Sequence, residues 1–263
     1  MEGSAASDWA EQLATWGIPA AILDQAPQSP WIHPVQSFRP EGDLAVDTPS
    51  RHRAVEALLR PGSNVSRSVL DVGCGGGRAA FGLTPPAAEV VGVDHQAVML
   101  TVFTEEAERR GVGCSTVLGD WPAVAASTPR CTVAVCHHVA YNVADLVPFL
   151  VALSAHAERR VVLELPLAHP LSVLSGMWKH FWGLDRPTRP TAHDAHAVAR
   201  EAGFDARIEM FETAAPAKPV SDQDVMFTRI RLCLPAERDP EVRAYLEAHP
   251  APPRQLAAIW WDL

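Results

Sequence analysis

Residues Val69 to Arg78 read VLDVGCGGGR, and the reading of that stretch decides the fold. The run Val69-Leu70-Asp71-Val72 is β-branched and apolar, the composition of a buried strand. It gives way to four glycines within five positions, Gly73, Gly75, Gly76 and Gly77, and then to the helix formers Arg78, Ala79, Ala80 and Phe81. A strand that breaks into a glycine turn and opens a helix leaves unpaired backbone N–H groups at the helix start, aimed above the strand. Glycine supplies the positive φ such a turn needs and lets a ligand approach bare backbone.

The next apolar run, Glu89-Val90-Val91-Gly92-Val93, ends in Asp94. An acid at the tip of the second strand is placed to accept hydrogen bonds from both hydroxyls of an adenosine ribose. The dinucleotide fingerprint G-x-G-x-x-G/A, counted from Gly73, requires a small residue where this chain has Arg78. The pattern present is Asp71-x-Gly73-x-Gly75-x-Gly77. In that form it resembles motif I of the class I, Rossmann-like methyltransferases that use S-adenosyl-L-methionine. The resemblance implies that Asp71, Gly73, Gly75 and Gly77 build the cofactor turn and that Asp94 holds the ribose.

Outward from this unit, strands alternate with helices. Thr48-Pro49 is a helix start, with Val55, Leu58 and Leu59 as an apolar face before Pro61-Gly62. Residues 95–110 read as a helix with Val98, Val102 and Phe103 inward, an exposed charged end from Glu105 to Arg110, and a stop at Gly111. A third strand, Cys114 to Leu118, leads to Asp120-Trp121-Pro122, and a fourth, Cys131 to Cys136, ends in His137-His138. The helical spacing of Val143, Leu146, Val147, Leu150 and Val151 is followed by a fifth strand, Arg160 to Leu165. This alternation predicts an α/β fold, a doubly wound parallel sheet with helices on both faces.

Residues 166–190 interrupt the rhythm with four prolines and with Trp178, Phe181 and Trp182, and read as an aromatic-rich insertion over the carboxyl ends of the strands. After it come a helix over 191–202, a strand over 206–211, a Pro-rich hairpin, a strand from Val225 to Leu234 and a helix over 237–248, with Ile259-Trp260-Trp261 packing on the core. A late strand pair resembles the methyltransferase ending, which implies seven strands with the last antiparallel. At the other end, Trp9, Leu13 and Trp16 mark an amphipathic helix. Residues 26–49, with recurrent prolines and Trp31, Ile32, Val35 and Phe38 between them, read as an extended segment on the core or as a lid. The expected organisation is an N-terminal segment over 1–49 packed on a methyltransferase domain over 50–263.

At 263 residues the chain is long enough to bury a large single core. Its formal charge of −9 repels phosphate backbones and disfavours nucleic acid as the partner. Five cysteines without a C-x-x-C suit a reducing compartment and indicate no zinc knuckle. With no apolar N-terminal leader and no window of about 18 residues free of charge and proline, the expectation is a cytoplasmic protein that does not span a membrane. Nothing in the sequence bears on oligomeric state.

The resemblance also supplies roles at the strand ends. Asp120 implies an acceptor for the adenine amine, with Trp121 covering the ring; otherwise Asp120 caps the turn before Pro122. His137 borders the methionine part of the cofactor, which leaves His138 near the methyl group as a base for the acceptor, or as a pocket wall. An imidazole titrating near neutrality contributes roughly 10² to 10⁴ in rate when it takes a proton in the transition state. Adjacent side chains on an extended segment point opposite ways, so His137 and His138 are not expected to share a metal ion. Asp/Asn-Pro-Pro-Tyr/Phe, the pattern of base-amine methylation, is absent after the fourth strand. A small-molecule acceptor follows, with Tyr141, His169, Trp178 and Trp182 as its expected contacts. The alternatives are a nucleic-acid or protein methyltransferase, or a protein that binds the cofactor without turnover.

Overall fold

The structure is a computed structural model that describes residues 3–31, 39–40, 42–62, 66–214 and 219–263. Its centre is a seven-stranded sheet in the order β3-β2-β1-β4-β5-β7-β6. The strands are β1 Ser68–Val72, β2 Glu89–Asp94, β3 Gly113–Leu118, β4 Cys131–His137, β5 Ala157–Pro166, β6 Arg207–Thr213 and β7 Arg254–Asp262. Strands β1 to β5 are mutually parallel, and β7 runs antiparallel to both β5 and β6. Because β1 lies beside both β2 and β4, the strand order reverses between β1 and β4, which puts the ligand crevice of a doubly wound sheet at their carboxyl ends.

Two-residue alternation sorts the strand side chains between two cores. On one face, Val69, Val133, Val135, Val162 and Trp260 meet α3 (Pro49–Leu59), α4 (Arg78–Phe81) and α5 (Ala97–Arg110). On the other, Leu70, Ala134, Cys136, Leu163 and Ile259 meet α1 (Ala5–Ala14), α6 (Leu146–His156) and α8 (Ala192–Glu201). The central strands are apolar almost throughout because both their faces are covered. Among the described residues no helix is long and apolar enough to cross a membrane.

Several expectations shift. Residues 225–234 are not a strand. Asp222–Arg231 forms helix α9, started by a capping box in which the Ser221 hydroxyl accepts from the Asp224 N–H and the Asp224 carboxylate accepts from the Ser221 N–H. The closing antiparallel strand is β7, whose Ile259-Trp260-Trp261 the sequence reading placed only as core packing. In α5 the inward face runs through Met99, Leu100, Val102 and Phe103, whereas Val98 is 46% exposed. Glu106, assigned to an exposed end, is buried under Arg109 and Arg110. Leu59 and Val151 likewise face solvent. Of residues 26–49, Trp31 is half exposed and Leu44 is buried; Ile32, Val35 and Phe38 lie outside the described residues.

The insertion leaves the carboxyl end of β5 at Pro166, makes a 3₁₀ turn over Pro170–Leu174 and continues as α7 (Ser175–Trp182). Met177 and Trp178 of α7 form a third core with Val225 of α9, Val242 of α10 (Asp239–Ala248) and Ile18 from the N-terminal segment, which includes α2 (Ala20–Leu23). A helical cap thus stands beside the strand ends with its own apolar interior.

Candidate active site

The glycine turn is stitched to the second strand before any ligand is considered. Gly73 and Cys74 both donate N–H to the Val93 carbonyl, at 2.8 and 3.0 Å. Gly75 donates to Asp94 Oδ2 at 3.0 Å, and Gln96 donates to Asp94 Oδ1 at 2.9 Å. Each Asp94 oxygen therefore spends one acceptor site on backbone and keeps another, since an ionised carboxylate offers about four lone-pair sites. Gly73 and Gly77 have φ of +70° and +87°. A Cβ on Gly73 would come within 2.4 Å of Val139 Cγ2, so the loop after β4 lies directly on the glycine turn and only a hydrogen fits there.

Asp71 is buried beneath this turn and accepts the Ala80 N–H of α4 at 3.1 Å. Burial pushes its carboxyl up to about 7, against that hydrogen bond and helped by the nearby Asp94 charge. Asp120 stands exposed beyond the end of β3. Trp121 turns its indole N–H to the Phe149 carbonyl of α6 at 3.2 Å and meets His156 edge-on, so its ring is fixed by α6.

At the end of β4 the chain turns sharply: His138 has φ +61°, rare for a residue with a side chain. Its N–H donates to the Glu164 carbonyl on β5 at 2.7 Å. This left-handed residue cancels the alternation expected of neighbours in an extended chain. His137 Nδ1 and His138 Nε2 lie 3.9 and 3.3 Å from the same oxygen, Glu164 Oε1. The other oxygen, Oε2, accepts from the Ser50 hydroxyl at the start of α3, itself 3.0 Å from the Thr48 hydroxyl. Among the described residues no three His, Cys, Asp or Glu side chains are grouped to hold a metal ion.

Burial by itself would raise the Glu164 carboxyl, but the two imidazoles and the Ser50 hydroxyl outweigh it and bring it down from 4.5 to about 2. Burial pushes His137 below its ordinary value, against the attraction of Glu164. A carboxyl depressed in the folded state contributes stability that is complete above its unfolded value and is lost as pH falls toward its folded one. Urea unfolding should therefore show the stability gap between Glu164→Gln and the parent chain narrowing as pH falls below about 4.5. A gap independent of pH between 5 and 3 would contradict this.

Of the four side chains expected at the acceptor, Tyr141 lies in the main core and Trp178 and Trp182 in the core of the cap. Tyr141 is buried and donates its hydroxyl to the Pro166 carbonyl at 2.9 Å. His169 is stacked on Trp16 with centroids 4.0 Å apart, and its Nδ1 accepts the Leu171 N–H. Trp178 is 2% exposed inside the cap, and Trp182 donates to the Leu232 carbonyl at 2.8 Å. Tyr141, His169 and Trp182 each have a polar atom engaged internally. Glu164 and Ser50 were missed by the sequence reading. The available signal was a lone acid at the carboxyl end of the apolar run Val161-Val162-Leu163-Glu164-Leu165, one strand over from His137.

Residues 69–158 match the family described as a methyltransferase domain. No curated protein matches the chain in sequence. Among solved structures, the YcgJ protein of Bacillus subtilis is similar with a TM-score of 0.52 at 16% identity, over 81% of this chain and 97% of that one. Precorrin 8W decarboxylase of Methanobacterium thermoautotrophicum aligns with a TM-score of 0.50 at 17% identity, over 91% and 98% of the two chains. Magnesium protoporphyrin IX methyltransferase of Synechocystis, solved with S-adenosylhomocysteine bound, aligns with a TM-score of 0.50 at 16% identity, over 94% and 90%. The sheet order and the glycine turn are those of the Rossmann-like methyltransferase fold, and the segment over 69–158 matches the methyltransferase-domain family. That family uses S-adenosyl-L-methionine as its methyl donor. The donor set fits that molecule, because a carboxylate with free lone pairs stands beside bare glycine backbone at the reversal of strand order.

Proposed function

We propose that this protein transfers a methyl group from S-adenosylmethionine to an oxygen or nitrogen of a small-molecule acceptor. The observation that carries the reading is the half-exposed His138, 47% accessible, turned out of β4 beside the glycine turn and backed by an ionised carboxylate. The cofactor supplies a methyl carbon activated by a neighbouring sulfonium. Asp94 accepts the ribose hydroxyls, while Gly73, Gly75 and Gly77 allow close approach and Asp71 anchors the helix start beneath them. Asp120 and Trp121 border the adenine, and His137 borders the methionine part. Alignment of this kind supplies about 7 to 11 kcal/mol of a displacement barrier.

His138 takes the proton from the acceptor's O–H or N–H as the methyl group arrives. The acidic surface and two of the similar structures, a magnesium protoporphyrin IX methyltransferase and a precorrin decarboxylase, support a small-molecule acceptor over nucleic acid. The cap beside the strand ends, rising over 166–190, closes the acceptor side of a domain running from residue 50, with α1 of the N-terminal segment packed on it. Five free cysteines suit the cytoplasm.

Labelled S-adenosylmethionine offered with metabolite and RNA pools tests the acceptor class; transfer to RNA alone would overturn it. His138→Ala is expected to lower turnover roughly 10²-fold or more while calorimetry with S-adenosylmethionine shows affinity within about threefold of the parent. Unimpaired turnover would remove the base and leave alignment as the whole mechanism.

A further inference from the structure

We infer that Glu164 is the positioning residue of His138: it selects the imidazole tautomer and makes Nδ1, rather than Nε2, the atom that receives the acceptor's proton. This deepens the proposed function and rests on its assignment of His138. The inference starts from the direction of the ring. His138 Nε2 is the nitrogen 3.3 Å from Glu164 Oε1. An ionised carboxylate only accepts, so the nitrogen facing it must carry hydrogen, and in a neutral imidazole the lone pair is then on Nδ1. Glu164 is ionised at neutral pH, its carboxyl being held down to about 2.

The carboxylate is itself held. Ser50, fully buried in the first turn of α3, donates to Oε2 and so leaves Oε1 turned toward the histidines. The Glu164 carbonyl accepts the His138 N–H at 2.7 Å, so the same residue grips both the backbone and the ring of His138. That double grip accounts for the left-handed φ of +61° at a residue that is not glycine. Around this carboxylate the titratable groups are His137 at the end of β4 and His138 in the turn after it, and the α3 side contributes the neutral Ser50 hydroxyl. His137 sits farther off at 3.9 Å, its proton affinity pushed down by burial and pulled back up by Glu164. The carboxylate's closer partner is therefore the exposed ring, the one with access to an acceptor.

The test needs no acceptor. Long-range ¹H–¹⁵N correlation spectra of the full chain with ¹⁵N-labelled histidines report the tautomer and titration of each ring, with His138→Asn assigning the His138 signals. The parent protein is expected to show His138 as the Nε2–H tautomer above its titration. Glu164→Gln is expected to mix the two tautomers of the His138 ring. A parent His138 in the Nδ1–H form overturns the inference even if Glu164→Gln does not fold. So does a folded Glu164→Gln whose His138 stays wholly in the Nε2–H form, since mere packing by Glu164 would give that result. Failure of the proposed function would look different: the Nε2–H tautomer would be present while His138→Ala left methyl transfer intact.

Discussion

Asp94→Ala is expected to raise the dissociation constant for S-adenosylmethionine by about 10² to 10⁴, because hydrogen bonds to a charged group contribute about 1.5–3 kcal/mol each and two ribose hydroxyls lose theirs. The same substitution removes the acceptor that holds Gly75 N–H at 3.0 Å and Gln96 N–H at 2.9 Å. It therefore loosens the glycine turn as well as emptying the ribose contact. Asp94→Asn separates the two effects. One amide oxygen can still accept from backbone or ribose, but the amide NH₂ faces N–H donors, so affinity should fall between the parent and the alanine variant. Calorimetry decides: a dissociation constant within threefold of the parent for Asp94→Ala would take Asp94 out of the cofactor site. Thermal unfolding without cofactor measures the loosening separately.

What the sequence made readable here followed from local chemistry. A glycine turn after an apolar strand announces its ligand crevice, because positive φ at Gly73 and Gly77 is a requirement of a few residues on themselves. The position of Asp94 follows from the same kind of rule. Failures came where distant contacts decide. Residues 225–234 have strand-like composition, yet the Ser221 and Asp224 capping box starts a helix there, and the apolar side chains then fill the cap instead of the sheet. Tyr141, His169, Trp178 and Trp182 read as pocket residues by type alone, and nothing in the sequence signals the stacking of Tyr141 on Trp9 and of His169 on Trp16 or the cap core around Trp178. Glu164 became visible only once β4 and β5 were paired in register, with His137 opposite Glu164. The left-handed turn at His138 could not be foreseen from a His-His pair, since extended geometry would send the second ring away from the carboxylate.

The N-terminal helix gives the sharpest stability test, since it lies far from the glycine turn in sequence and yet enters the main core. Trp9 is fully buried in the core formed with Leu70, Leu163 and Ile259 of the sheet. Its ring stacks on Tyr141 with centroids 5.4 Å apart, and its N–H donates to the Val143 carbonyl at 2.8 Å. Both partners belong to the loop that follows His138, so α1 holds the far side of the turn that presents the imidazole. Trp9→Ala is expected to cost about 3–5 kcal/mol, the range for removing a large aromatic side chain from a core that relaxes only in part. Trp9→Phe keeps most of the ring contact and should lose about 1 kcal/mol through the unpaired Val143 carbonyl. Urea unfolding measures both. A cost below about 1 kcal/mol for the alanine variant, small beside the usual core range, would mean that α1 detaches without unfolding the sheet. A full cost places residues 5–14 in the same cooperative unit as β1, and methyl transfer should then weaken in Trp9→Ala even under conditions where the protein stays folded.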